Sequence, residues 1–190
     1  MHVLFLFENV EAIIFDLDDT LVKSTLDFAC LKAKIGCEKE DDILSFIDKI
    51  ECQTQQALAN QTVLEHELND ALTSTWLPGA EEFVYQAKTY GLPLAIVTRN
   101  CKQATQIKIN NNNIPIDLVF TREDAPAKPD PTALIAIANK WQIAPSKIAY
   151  IGDYIYDIQA AHNGNMQAWL YRHKQKQYAQ NLSYIAPDCT

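Results

Sequence analysis

The sequence predicts an α/β fold, a doubly wound parallel sheet of Rossmann-like type carrying a small inserted all-helical domain. Three observations carry that prediction. Short apolar runs recur at 10–15, 92–97, 118–120, 148–151 and 168–171, and the first, second and fourth are almost continuously apolar. Such runs suit strands covered on both faces, as in a parallel sheet. Helical segments with readable ends separate them. One stretch, 21–77, holds 57 residues without a convincing strand.

The first run ends directly in carboxylates, at Asp16, Asp18 and Asp19. Within the insert, Phe28, Leu31 and Ile35 share a helical face that Gly36 terminates. Ile43, Phe46, Ile47 and Ile50 make a second stripe, and Leu64, Leu68, Ala71 and Leu72 a third. The insert carries ten acidic and five basic residues, which argues against a highly anionic leaving group beneath it. The sheet domain is then 1–20 together with 78–190. Pro78 opens a helix with Phe83, Ala87 and Tyr90 on one face, and Gly91 closes it. Asn100 is expected to cap the helix running to about Asn110. Pro131 opens another, with Leu134, Ile135, Ala138 and Trp141 at helical spacing, and 157–163 makes a short helix before Gly164.

Composition narrows the function. With 48% hydrophobic and 21% charged residues the chain has an ordinary globular balance. A net charge of −8 opposes binding of nucleic acid or anionic lipid through a basic face. No apolar run approaches the ~20 residues that span a bilayer. The opening MHVLFLFENVEA shows neither a basic leader nor a small-residue cleavage site, so a secretory signal is not expected. The five cysteines, Cys30, Cys37, Cys52, Cys101 and Cys189, suit neither a disulfide framework nor a zinc site. The expectation is a cytoplasmic monomer or homodimer. His2, His66, His162 and His173 show no ligand spacing, and Trp76, Trp141 and Trp169 read as packing residues, as does Cys101.

Ligands of open α/β sheets bind at the carboxyl ends of the strands. Asp16, Asp18 and Asp19 crowd that position, repel one another, and would be relieved by a divalent cation. A polar turn rarely needs three carboxylates. A calcium loop of EF-hand type is excluded because Leu21 stands where its glycine belongs. Thr98, Arg99 and Asn100 follow the second run, where a hydroxyl can donate to an anionic oxygen or cap a helix. Lys128 sits between prolines in APAKPDP, after the third run. Asp153 and Asp157 follow the fourth. Carboxylates, a hydroxyl and a lysine converging on one crevice make a site for Mg²⁺ and a phosphoryl group.

These four segments resemble the four motifs of the haloacid dehalogenase superfamily, most closely its phosphatases with a small helical cap after the first motif, of phosphoglycolate-phosphatase type. Residues 16–20 match D-x-D-x-T, Thr98 the hydroxyl motif, Lys128-Pro129 the lysine motif, and Gly152-Asp153 with Asp157 the closing acidic motif. The resemblance implies hydrolysis of a small phosphorylated metabolite through an aspartyl phosphate on Asp16. It implies that Asp18 protonates the leaving oxygen and then activates water. It further implies Mg²⁺ held by Asp16, the Asp18 carbonyl and Asp153, with Asp157 in support directly or through water. Thr98 and Lys128, with Arg99 and Asn100 beside them, would meet the phosphoryl group. The chain departs from the family at Asp19, where glycine is usual, and at Lys23, where an acid is usual. A phosphomutase on the same fold and a non-catalytic Mg²⁺-binding module are the competing readings.

Overall fold

A computed structural model describes residues 9–172 and 178–187; His2, His173 and Cys189 lie outside the described residues. From β1 (Ala12–Phe15) the chain passes through β2 (Val22–Lys23) into three helices, α1 (Phe28–Ile35), α2 (Ile43–Asp48) and α3 (Gln53–Thr73), and returns through β3 (Thr75–Trp76). Helices and strands then alternate: α4 (Ala80–Thr89), β4 (Leu94–Val97), α5 (Lys102–Asn112), β5 (Leu118–Phe120), α6 (Thr132–Trp141), β6 (Ile148–Gly152), α7 (Ile155–Asn163) and β7 (Gln167–Tyr171). The last described strand is β8 (Leu182–Ile185).

Six strands form one sheet in the order β5-β4-β1-β6-β7-β8. Every neighbouring pair is parallel except β7 with β8. The period-two geometry of a strand explains why β1 is apolar throughout. Ile13 and Phe15 face the layer of Ala80, Phe83, Val84 and Ala87 from α4. Ala12 and Ile14 face Leu134 and Ile137 of α6 and Ile158 of α7. Both faces are therefore dry, and the carboxyl ends of β1, β4 and β6 open side by side onto the crevice.

The insert has its own small core of Leu31, Ile43, Ile47, Ala59 and Val63. Its helices end where the chemistry predicts. Asp27 caps α1 by accepting from the Cys30 amide at 2.9 Å, and Gly36 closes it at a left-handed φ of 73°. Asp42 caps α2 through the Ser45 amide at 3.0 Å.

Five expectations need correction. The insert contains two strands, since Val22 pairs with Trp76 and Lys23 with Thr75, but two residues are too short to show a pattern. The cap of α5 is Cys101, whose Sγ accepts from the Ala104 amide at 3.3 Å, because the Asn100 side chain is drawn to Asp18 instead. Phe28 and Leu72 are exposed, and the buried positions of α3 include the carboxylates Glu67 and Asp70. Tyr90 and Ile135 are also exposed; Phe83, Val84 and Ala87 line one helix and Leu134, Ile137 and Ala138 the other. The sheet has a sixth strand beyond the five apolar runs, the antiparallel edge strand β8, whose Leu182 packs into one core layer and Ile185 into the other.

Leu134 is wholly buried between α6 and the sheet. Leu134→Ala is expected to cost about 2–5 kcal/mol, read as a lower denaturant midpoint at an unchanged slope.

Candidate active site

The chain is still paired to the sheet at Asp16, whose amide donates to the Ile151 carbonyl at 2.8 Å. It then folds back sharply, with the Leu21 and Val22 amides both donating to the Leu17 carbonyl. This turn requires a left-handed residue at Asp19, where φ is 49°. Glycine takes that conformation freely, and aspartate is among the few others that tolerate it. Asp19 compensates by accepting from the Ser24 amide at 3.1 Å.

Asp16, now buried, meets Lys128 from the loop after β5. The Lys128 ammonium donates to Asp16 Oδ1 at 2.7 Å and to Asp157 Oδ1 at 2.6 Å. The Tyr150 hydroxyl lies 3.0 Å from the same Asp157 oxygen, and the Tyr154 amide donates to Asp157 Oδ2 at 2.9 Å. Gly152 is required beneath this contact, because a Cβ there would stand 2.3 Å from the Asp157 carboxyl carbon. Asp153 completes the group: Asp16, Asp153 and Asp157 each offer a carboxylate oxygen, all within 4.8 Å of one another.

Three carboxylates thus share one ammonium in a largely dry space. Burial raises the Asp16 pKa well above its ordinary value, with Lys128 opposing and Asp157 and Asp153 adding to the rise. Burial, then the charges of Asp157 and Asp19, push Asp153 up to about 7. Burial works against the charge on Lys128, but Asp157 and Asp16 outweigh it and hold its pKa above normal. Hard oxygen donors with excess negative charge fit a divalent cation of the Mg²⁺ kind.

The other wall comes from the turn after β4. Thr98 is buried, its amide donates to the Phe120 carbonyl at 3.0 Å, and its Oγ1 accepts from the Asn100 amide at 3.2 Å. The hydroxyl proton is therefore left to donate elsewhere. Asn100 donates through Nδ2 to Asp18 Oδ2 at 2.6 Å. Arg99 is engaged with the cap: it pairs with Asp42, donates to the Lys128 carbonyl at 2.6 Å, and lies 4.8 Å from the centre of the Tyr156 ring. Asp16, Asp18, Thr98, Arg99, Asn100, Lys128, Asp153 and Asp157 all line one cavity of about 400 Å³ between sheet domain and insert. Leu26, Phe28, Leu31 and Ile43 contribute to its cap side. Lys23 stands exposed on β2, outside that wall.

Several residues of this neighbourhood escaped the sequence reading. Tyr150 looks like one more apolar strand residue. Lys108 shares a helical face with Ala104 and Asn112, and its stripe is too polar to announce burial. Glu67 and Asp70 sit on a charged helix whose wet and dry sides are indistinguishable by hydropathy. Glu67 accepts from the Cys101 amide at 2.9 Å and pairs with Arg122.

A family model described as haloacid dehalogenase-like hydrolase matches residues 13–170. An uncharacterized hydrolase of Saccharomyces cerevisiae is 28% identical over 160 residues, covering 80% of this chain and 73% of its own. The pyrophosphatase PpaX of Bacillus velezensis is 27% identical over 211 residues, covering 95% and 91%. Among solved structures, a predicted phosphoglycolate phosphatase from Haemophilus somnus superposes with a TM-score of 0.65 at 20% identity, covering 84% of each chain.

The raised pKa of Asp153 makes a testable statement about the metal-free protein. A carboxyl whose folded pKa exceeds its unfolded one opposes folding once it must ionise, so its penalty grows as pH rises from about 4 and is full above about 7. Asp153→Asn is therefore expected to raise Tm in chelator at pH 8, and by clearly less at pH 5. An equal gain at both values would contradict the charge-repulsion account.

Proposed function

The chain belongs to the haloacid dehalogenase-like hydrolase family, and from that premise we propose that it is a Mg²⁺-dependent phosphomonoester hydrolase. Its substrate is a small phosphorylated metabolite. The observation that carries the reading is the buried Asp16 carboxylate, gripped by Lys128 at 2.7 Å and grouped with Asp153 and Asp157 at the floor of the cavity between sheet domain and cap.

A carboxylate approaches a phosphate dianion only when positive charge screens the two. Bound Mg²⁺ would be held by Asp16, Asp153 and the Asp18 carbonyl, with Asp157 in support, and would supply that screening together with orientation of the phosphoryl group. Lys128 adds a fixed ammonium on the same side, and the Thr98 hydroxyl is free to donate to a phosphoryl oxygen. Asp16 Oδ attacks phosphorus, the bond to the leaving oxygen breaks, and Asp18 gives that oxygen a proton. Asp18 then takes a proton from water as the water attacks the aspartyl phosphate, which releases phosphate and regenerates Asp16. The products are one alcohol and one phosphate for each water consumed.

The cap encloses this chemistry. Its position over Asp16 would exclude bulk water and let Leu26, Phe28 and Leu31 meet the part of the substrate beyond the phosphate. A cavity of about 400 Å³ suits a small molecule better than a phosphoprotein or a nucleic acid. No described helix is long and apolar enough to cross a membrane, and a cytoplasmic site of action as monomer or homodimer accords with the cysteine usage.

Turnover of phosphomonoesters is expected to vanish in excess chelator and return with Mg²⁺. Asp16→Asn is expected to abolish it with the fold intact. Asp18→Asn is expected to lower kcat/KM, which reports the first phosphoryl transfer, by ~10²–10⁴ on an alkyl phosphate, the usual contribution of general acid–base assistance, and by much less on p-nitrophenyl phosphate, whose leaving group needs no proton. Undiminished hydrolysis in chelator, or an Asp18→Asn loss that ignores the leaving group, would overturn this assignment.

A further inference from the structure

We infer that Lys108 is a positioning residue, a buried ammonium on α5 that sets the orientation of Asp18 and ties it to the seating of the cap. The inference rests on the hydrolase reading above, in which Asp18 moves the protons.

Lys108 is wholly buried, which is unusual for a lysine. Its Nζ donates to Asp18 Oδ1 at 2.5 Å and to Asp70 Oδ2 at 2.7 Å. Asp18 belongs to the sheet domain, directly after β1, whereas Asp70 belongs to α3 of the cap. Asp70 is itself fixed on the cap side of the junction: the Thr25 amide and hydroxyl donate to its Oδ1 at 2.5 and 2.9 Å, and the Ser24 hydroxyl to its Oδ2 at 3.2 Å. The second oxygen of Asp18 is taken by Asn100 at 2.6 Å. Both Asp18 oxygens are therefore held by donors from the segment 100–112, and the carboxylate cannot turn about its own axis without losing one of them.

Cap docking alone does not call for this arrangement. The same α3–α5 junction already packs Ala71, Leu64 and Leu68 against Cys101, Ala104 and Ile107, and a further apolar pair would extend that contact without desolvating an ammonium. Buried ion pairs are poor sources of net stability, and in some proteins they serve instead to fix a specific geometry. Here the geometry imposed is that of the one carboxylate that must reach the leaving oxygen. General acid catalysis demands placement to within hydrogen-bond reach, so a small rotation of Asp18 is costly. Through Asp70, that placement is complete only when the cap sits where it does here.

The test compares Lys108→Met with the wild type, Asp18→Asn and the double variant Asp18→Asn/Lys108→Met, each with Mg²⁺ on an alkyl phosphate and on p-nitrophenyl phosphate. Lys108→Met is expected to lower kcat/KM, which reports the first phosphoryl transfer, at least tenfold more on the alkyl phosphate than on the aryl phosphate. The double variant is expected to be no slower than Asp18→Asn alone, because a carboxylate that is gone cannot be misplaced. Should Lys108→Met alone fail to fold, Lys108→Met/Asp70→Asn removes the stranded cap charge and is expected to show the same leaving-group dependence. Equal losses on both substrates, or losses that multiply with Asp18→Asn, would reduce Lys108 to a structural residue and overturn the inference while leaving the hydrolase reading intact. A wild type inactive on both esters would overturn that reading and the inference with it.

Discussion

The structure is organised around one ammonium placed among too many carboxylates. Lys128 bridges Asp16 at the end of β1 to Asp157 in the first turn of α7, joining chain segments that are distant in sequence. Taking these charges out of water is expensive, and one cation cannot balance three carboxylates. The remainder of the site answers that imbalance. Tyr150 and the Tyr154 amide supply donors to Asp157, Gly152 gives up its side chain so that Asp157 can approach, and Thr20 reaches Asp153 at 3.5 Å. What these groups leave uncompensated is negative charge of the kind a divalent cation would neutralise.

The insert obeys a second electrostatic rule. Three of its ten acids are directed at the sheet domain: Asp42 meets Arg99, Glu67 meets Arg122 and Asp70 meets Lys108, all three cations belonging to that domain. Burial opposes the charge on Asp70, yet Lys108 and the Thr25 donors outweigh it and hold its carboxyl below the ordinary value. Trp76 adds a hydrogen bond from its indole to the Asn112 carbonyl at 2.7 Å beside the β2–β3 ribbon. Lys32 and Lys39 line the cavity from the cap beside Glu40, Asp41, Asp42 and Glu67, so acids outnumber lysines on that wall.

Arg99 illustrates how one residue can join both rules. It contacts the cap through Asp42 and the Lys128 loop through a backbone carbonyl, and its planar cation covers the Tyr156 ring. Its position immediately after Thr98 makes it look like a phosphate ligand. Its contacts here fasten the cap edge beside the cavity that it lines together with Lys128.

Much of this was legible in the sequence because strand ends are local features. An apolar run followed at once by Asp16, Asp18 and Asp19, or by Thr98, or by Asp153, places side chains at the carboxyl end of a strand from chain order alone, and the alternating runs predicted the sheet that aligns those ends. The helical insert was legible from three stripes and the glycine after the first. What remained hidden was every partner whose role depends on a distant segment. Lys108 on a polar helix, Asp70 on a charged one and Tyr150 in an apolar strand carry no local sign of burial, since periodicity reports which side of an element is dry and not what polar group waits there. The sequence determined where the crowded carboxylates leave the sheet; only the tertiary structure decided which of them an ammonium would hold, because a charge is stabilised by its neighbours in space, whatever their distance along the chain.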